Sequence, residues 1–331
     1  MTVSVCIPTY NSAAYLQECI ESVLKQTYRD FELIISDNCS TDSTCEIAQS
    51  YADSRIKLLR ADQNRGMAQN FNQAVGMARG KFVKILCSDD ALHPRALELQ
   101  TKFLDEHQAA VLVTCARQFI DAQSRDLRIV RWFSRDVLLG GIDLKLVILL
   151  YGNVIGEPSA TLIRREAIEC AGPFKEGLST AIDLEMWLRL LHQGAAGYMT
   201  SSLCSIRQHP RMMSYEYRKE GSIQDAVLRV TNDLLGSIEN GSMVRTVGFG
   251  RLAGAFVKHA LYGFGQRSFR GPLLTLWRAF TLDPGFVGLL AYLILFRPGI
   301  LGLAADEKGR ARVHTGGTLR WLQEAGHSQR H

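Results

Sequence analysis

The chain has 331 residues, 47% of them hydrophobic and 21% charged, with a formal net charge of +5. That is enough apolar material for a large core, and one catalytic domain with an appended helical region is the natural division. The eight cysteines are scattered without the paired spacing of a zinc site, and neither an internal repeat nor a low-complexity tract is present, so a zinc framework and a repeat architecture are excluded.

Residues 3–7 form a short apolar, β-branched run that stops at Pro8-Thr9-Tyr10-Asn11, where proline cannot donate to a sheet ladder. From Ser12 onward Leu16, Cys19, Ile20, Val23 and Leu24 recur at helical spacing, with Asn11 or Ser12 placed to cap the first turn. A second strand over 31–35 ends at Asp37, and polar residues 38–43 lead into a helix carrying Ile47 and Tyr51. Residues 56–59 read as a third strand and 67–78 as a helix with Met67, Phe71, Ala74, Val75 and Ala78 on one side. Strands alternating with helices predict an α/β protein: a central, mostly parallel sheet flanked by helices, with ligands bound beyond the carboxyl ends of the strands.

The fourth strand, within 80–90, runs into two adjacent carboxylates, Asp89 and Asp90, ahead of a helix that takes Pro94 in its first turn. Carboxylates ending a buried strand are costly unless a cation meets them, which points to a divalent metal carrying a phosphorylated ligand. Tyr10, Asp37 and the Asp89-Asp90 pair fall on one rim. The structural alternatives are a plain turn at Pro8-Thr9-Tyr10, helix capping by Asp37 and Asp42, and a solvated turn at Asp89-Asp90.

Taken together, Ser4-Val-Cys-Ile-Pro-Thr-Tyr-Asn11, residues 26–37, Ser40-Thr-Asp42, Asn64-Arg-Gly66 and residues 80–90 resemble the family 2 glycosyltransferases, inverting enzymes of GT-A type nucleotide-sugar-binding fold. The resemblance covers roughly residues 2–210. It implies transfer of a sugar from a nucleoside diphosphate donor, with a UDP-sugar expected, to an acceptor hydroxyl on a glycan or polyprenyl-linked glycan, in bacterial surface polysaccharide synthesis. Pro8, Thr9, Tyr10, Asn11, Asp37, Asn64, Arg65, Ser88 and Asp89 would then line the nucleotide. Asp90, with Asp89 and His209, would hold Mn2+ or Mg2+, and Arg207 would face a phosphate. Many family members carry an acidic residue where this chain has Cys87, which reads here as a small buried residue.

Downstream, residues 152–163 form a loop rich in glycine and proline before a β-like run; the family places such a loop under the sugar, and Glu157 lies in it. A helix then opens near Thr180, with Leu184, Trp187, Leu188 and Leu191 as its buried stripe. By resemblance Asp183, four residues before Trp187, is the catalytic base; Glu185 is the second candidate, and Glu185 and Trp187 are assigned with Glu157 to the sugars. A carboxylate at a helix N-terminus tends to stay ionised, as a base must. Thr180-x-x-Asp183 also fits a capping box.

The predicted division is a catalytic domain over 1–215, with a nucleotide half to about residue 115 and an acceptor half to 215. A helical region over 216–305 and a polar tail over 306–331 follow. The apolar run 285–296 is too short to span a bilayer, ~18 Å against a ~30 Å core. It reads as a buried helix or, with nearby arginines, as a contact with the inner membrane face. No secretory signal precedes Val3, so a cytoplasmic location with reduced thiols is expected. Two other functions share parts of this pattern. A sugar-nucleotide nucleotidyltransferase would need a glycine-rich phosphate loop after the first strand, where Pro-Thr-Tyr-Asn stands instead. A catalytically silent nucleotide-binding subunit would need no base.

Overall fold

In a computed structural model, residues 1–178, 181–212, 222–236 and 248–254 are described, together with Val257 and Ala279. Strand β1 (Val3–Thr9) lies between β2 (Phe31–Asp37) and β4 (Phe82–Ile85), with β3 (Ile56–Arg60) outside β2, and these four strands are parallel. The carboxyl ends of β1, β2 and β4 therefore share one rim. The second half makes the sheet mixed. Strand β9 (Leu162–Arg164) inserts antiparallel between β4 and β6 (Ala110–Ile120), and β10 (Ala195–Arg207) runs parallel to β6. The short β5 (Ala91–Leu92) pairs antiparallel with β10, β7 (Asp126–Val130) joins β6, and β8 (Val137–Leu139) joins β10.

Side-chain alternation splits the core in two. On one face Val3, Val5, Ile7, Leu33 and Ile35 pack under α1 (Leu16–Leu24), α2 (Thr44–Gln49) and α4 (Ala96–Glu106). On the other, Cys6, Ile34, Val83 and Ile85 meet α3 (Met67–Gly76), α5 (Gly141–Tyr151), α6 (Arg165–Ala171) and α7 (Ile182–Leu190). Helix α8 (Ser222–Gly236) adds Ala226 and Val230 to this second core. Gly80 lets β4 start tightly beside β1: a Cβ there would stand 2.7 Å from the backbone nitrogen of Ser4.

Three local expectations need correction. Helix α1 begins only at Leu16, and neither Asn11 nor Ser12 caps it with a side chain; both are drawn into the loop after β1 instead. Helix α4 begins at Ala96, so Pro94 precedes it, and its carbonyl accepts from Thr27 N at 2.8 Å. Asp89 and Asp90 do not end β4, which stops at Ile85; they follow in a turn closed by Asp90 N donating to Cys87 O at 3.0 Å. The apolar run 285–296 and the tail 306–331 lie outside the described residues, as does most of 216–305. Among the described residues no helix is long and apolar enough to cross a membrane.

Candidate active site

The rim at β1 and β2 is built by hydrogen bonds that hold two loops together. The first strand does not stop at Pro8 as expected: Pro8 and Thr9 are its last two residues, buried and paired with Ser36 and Asp37 of β2, and the Thr9 carbonyl accepts from Asn38 N at 2.9 Å and Asn70 Nδ2 at 3.2 Å. The Thr9 hydroxyl is buried without a partner among the described residues. Tyr10 is 46% exposed, a ring lying open on the rim. Asn11 takes a left-handed conformation (φ +50°), which asparagine tolerates, and its Oδ1 accepts from Thr41 N at 2.8 Å. Asp37 is fully buried, and its carboxylate accepts from the backbone and hydroxyl of Ser40, so it shapes the loop after β2. Asp42 ties the same loops, accepting from Thr44 N at 3.0 Å and Ala13 N at 3.2 Å, but the N-cap position of α2 is Ser43. Asn64 accepts from Asn38 Nδ2 at 2.8 Å, while exposed Arg65 pairs with Asp62.

The turn after β4 forms the acidic end. Asp90 is 4% exposed; its Oδ2 accepts from the Ser159 hydroxyl at 2.6 Å and its Oδ1 from Arg207 N at 2.9 Å. Burial, then the neighbouring Asp89, push its carboxyl well above the usual range, against the pull of those two donors. Asp89 turns the other way and meets His209 Nε2 at 3.1 Å, with that imidazole tilted against Tyr15. Ser88 shares a 2.7 Å hydrogen bond with Ser12. Ligand atoms of Cys87, Asp89 and Asp90 lie within 4.8 Å of one another. Carboxylate oxygens suit Mn2+ or Mg2+, so the Asp89–Asp90 turn is where such an ion could be held; Asp89 is the more open of the two, with one oxygen on His209, while both oxygens of Asp90 already serve protein donors.

Arg207 does not face a phosphate. It is 1% exposed and acts as a strut, donating to Asp89 O (2.8 Å), Asp121 O (3.1 Å), Ser124 Oγ (2.9 Å) and Glu18 Oε2 (2.7 Å), with its guanidinium 4.6 Å over the Tyr15 ring.

At the other end, α7 presents Asp183 in its first turn. Its Oδ1 accepts from Leu184 N at 2.6 Å and its Oδ2 from Asn153 Nδ2 at 3.4 Å. Burial outweighs the helix end here and pushes its carboxyl up to about 7; Glu157 adds to the rise and Arg117 opposes it. Helix α7 starts after Ala181 without a side-chain cap, and Thr180 lies outside the described residues. Glu157 also raises Asp90, so its partly exposed carboxylate stands within electrostatic reach of both ends of the site. The acidic end is tied to the same loop through Ser159 in the 3-10 turn Pro158–Ala160.

Two assignments to the sugars are corrected. Trp187 is 0% exposed and donates its indole N–H to Gly156 O at 3.0 Å. Glu185 is buried between Arg189 (2.7 Å) and Lys175 (2.8 Å). Both hold α7 in place and neither reaches the rim. Sequence reasoning assigned no role to Asn153, Ser159 or Arg117. The first two sit in the loop singled out on sequence, whereas Arg117 carried no local signal.

The family profile for glycosyl transferase family 2 matches residues 4–172, half of the chain. The chain belongs to glycosyl transferase family 2. Among family relatives, EpsE of Bacillus subtilis, named as a glycosyltransferase, is 31% identical over 236 residues, covering 68% of this chain and 80% of EpsE. The fold matches the crystal structure of Staphylococcus aureus TarS 1–349 in complex with UDP-GlcNAc at TM-score 0.66 and 19% identity, over 91% of each chain. It also matches the mannosyltransferase PcManGT of Pyrobaculum calidifontis in complex with GDP-Man and Mn2+, at TM-score 0.54 and 17% identity, over 92% of this chain and 87% of that one. At such identities the structural likeness speaks for the fold, which is the GT-A type expected of family 2. In this family 2 chain, the matched stretch contains Tyr10, Asp37, Asp89 and Glu157 and stops before Asp183 and His209.

Proposed function

We propose that this family 2 glycosyltransferase transfers a sugar from a nucleoside diphosphate donor, a UDP-sugar in the first instance, to a glycan hydroxyl with inversion, at the cytoplasmic face of a membrane. The observation that carries the reading is the single loop 153–159: Ser159 holds Asp90 at the acidic end, while Asn153 touches Asp183 at the other. A donor seated between them places its diphosphate toward Asp89 and its sugar toward Asp183.

In this reading the open face of Tyr10 stacks the base. The loops built by Thr9, Asn11, Asp37 and Asn64 surround base and ribose, and the unpartnered Thr9 hydroxyl is a ready hydrogen-bonding group. Asp89 would hold the divalent ion, with His209 beside it and Asp90 anchoring its turn. When bound, that ion offsets the negative charge of the departing diphosphate. The acceptor oxygen forms a bond to the anomeric carbon as the bond from that carbon to the diphosphate oxygen breaks; the acceptor proton passes to Asp183, and the diphosphate leaves with the electron pair. A single displacement from the opposite face inverts the anomeric centre. A base of this kind contributes ~10²–10⁴ in rate, most effectively with a pKa near the working pH, and Asp183 is pushed up to about 7.

Thermal shift with UDP, GDP, UDP-GlcNAc and GDP-Man, each with and without Mn2+, tests the donor site. One nucleotide series should raise the melting temperature only with Mn2+, by mass action worth ~2.7 kcal/mol at a hundredfold excess over Kd. The Asp183→Asn variant should keep that shift and lose turnover, which separates an enzyme from a silent binder. No shift with any nucleotide in the presence of Mn2+ would overturn the reading.

A further inference from the structure

Arg117 leaves β6 with its side chain buried, only 4% of the residue exposed. Its Nη1 donates to Glu157 at 2.7 Å, but its Nε–H is buried with no partner among the described residues. The guanidinium lies against Gly156: a Cβ there would fall 1.7 Å from Nη1, and φ is +88°, so glycine is required for the loop to close over the cation. The Gly156 carbonyl accepts the Trp187 indole N–H at 3.0 Å and the Asn153 amide at 3.4 Å, and that amide reaches Asp183 Oδ2. Buried cation, loop and proposed base therefore form one connected unit. A buried cation with an orphaned donor and a half-open partner is costly if its only task is to fill the core.

We propose that Arg117 is a positioning residue: it clamps the loop 153–157 against α7 and, with Glu157, sets the charge environment of Asp183. The catalytic meaning of this rests on Asp183 being the base; the clamp and its electrostatics do not. Among the described residues, the charged groups that act most on Asp183 are Glu157, from the loop, and Arg117, from β6, and they act in opposite senses. Removing Glu157's charge should therefore ease ionisation of Asp183, and removing Arg117's should hinder it.

The test is a 13C-carboxyl NMR titration of aspartate-labelled, metal-free protein, with Asp183 assigned by its absence in Asp183→Asn. In Glu157→Gln the Asp183 midpoint should move down by ~0.5–1 pH unit, and in Arg117→Gln up by a similar amount. The double variant should return close to the parent. If Arg117→Gln fails to fold, Glu157→Gln decides alone. An Asp183 midpoint unmoved by Glu157→Gln, or moved upward, overturns the inference. Turnover surviving in Asp183→Asn would instead remove the base assignment and leave this result standing.

Discussion

Replacing Arg207 with methionine separates a strut from a ligand contact. The guanidinium makes hydrogen bonds to two backbone carbonyls, Asp89 O and Asp121 O, and to the hydroxyl of Ser124, all at 3.1 Å or less. A charged donor to a buried acceptor is worth ~1.5 kcal/mol or more, and an acceptor left unpaired adds its own cost. The Glu18 partner is 45% exposed, so that pair contributes at most ~1 kcal/mol after screening. The cation over Tyr15 adds ~0.5–1 kcal/mol. These contributions are not additive, and methionine recovers part of the desolvation cost of the arginine, so we expect a net loss of ~3–4 kcal/mol. Urea denaturation followed by tryptophan fluorescence measures it, and a fall in midpoint at constant m-value is the expected form. A variant as stable as the parent that has lost only nucleotide affinity would refute the strut and restore a phosphate-facing arginine.

Other expectations follow from the same geometry. Asp89→Asn and His209→Ala should each abolish the Mn2+-dependent thermal shift with nucleotide, whereas Asp90→Asn should mainly lower the melting temperature of the free protein. Equal loss of metal response in all three would return Asp90 to the ligand set. Because the Asp183 carboxyl titrates higher folded, at about 7, than the ~3.9 expected unfolded, the native state binds more protons between those values. Its ionisation therefore costs stability as pH rises through that window, fully so above 7. Asp183→Asn should be more stable than the parent at pH 8 by up to ~4 kcal/mol, ~1.4 kcal/mol for each of the roughly three pH units between the folded and unfolded values, and no different at pH 3.5. Turnover in the parent should fall below pH 7 with unit slope; a rate flat from pH 5 to 8 would count against this base. Trp187→Phe removes the indole N–H from Gly156 O and should cost ~1–3 kcal/mol, with lost turnover but retained nucleotide binding.

The first four strands were legible because each is a short apolar run in an alternating strand–helix pattern, and local pattern is all that a parallel βα unit needs; their ends were not, since β1 runs on through Pro8 and β4 stops at Ile85, short of the carboxylates. The second half was not. Strand β9 enters antiparallel between two distant strands, and α5 is apolar on nearly every side, so neither topology nor periodicity is written locally. The site shows the same division. Tyr10 was marked by its place just past β1, Asp89 by the acidic pair after the fourth apolar run and Asp183 by resemblance, and the 184–191 stripe already placed Trp187 inside, against its assignment to sugar. The pairing of Glu185 with Arg189 four residues on was also readable. By contrast, Arg117 on Gly156, Ser159 on Asp90 and His209 on Asp89 join residues 39 to 120 positions apart, and only tertiary structure brings them together.

Arg207 is bound to Glu18, 189 residues earlier, and to Asp89 and Asp90, and His209 closes on Asp89. On the ribosome, then, the loops after β1, β2 and β4 are made early, but the acidic turn stays slack until the stretch near residue 210 has cleared the exit tunnel. The acidic end cannot be completed before β10 emerges, and contacts so distant along the chain predict slow completion. A nascent chain halted before β10 would carry every acidic residue of the site and yet have neither the imidazole nor the strut that arranges them.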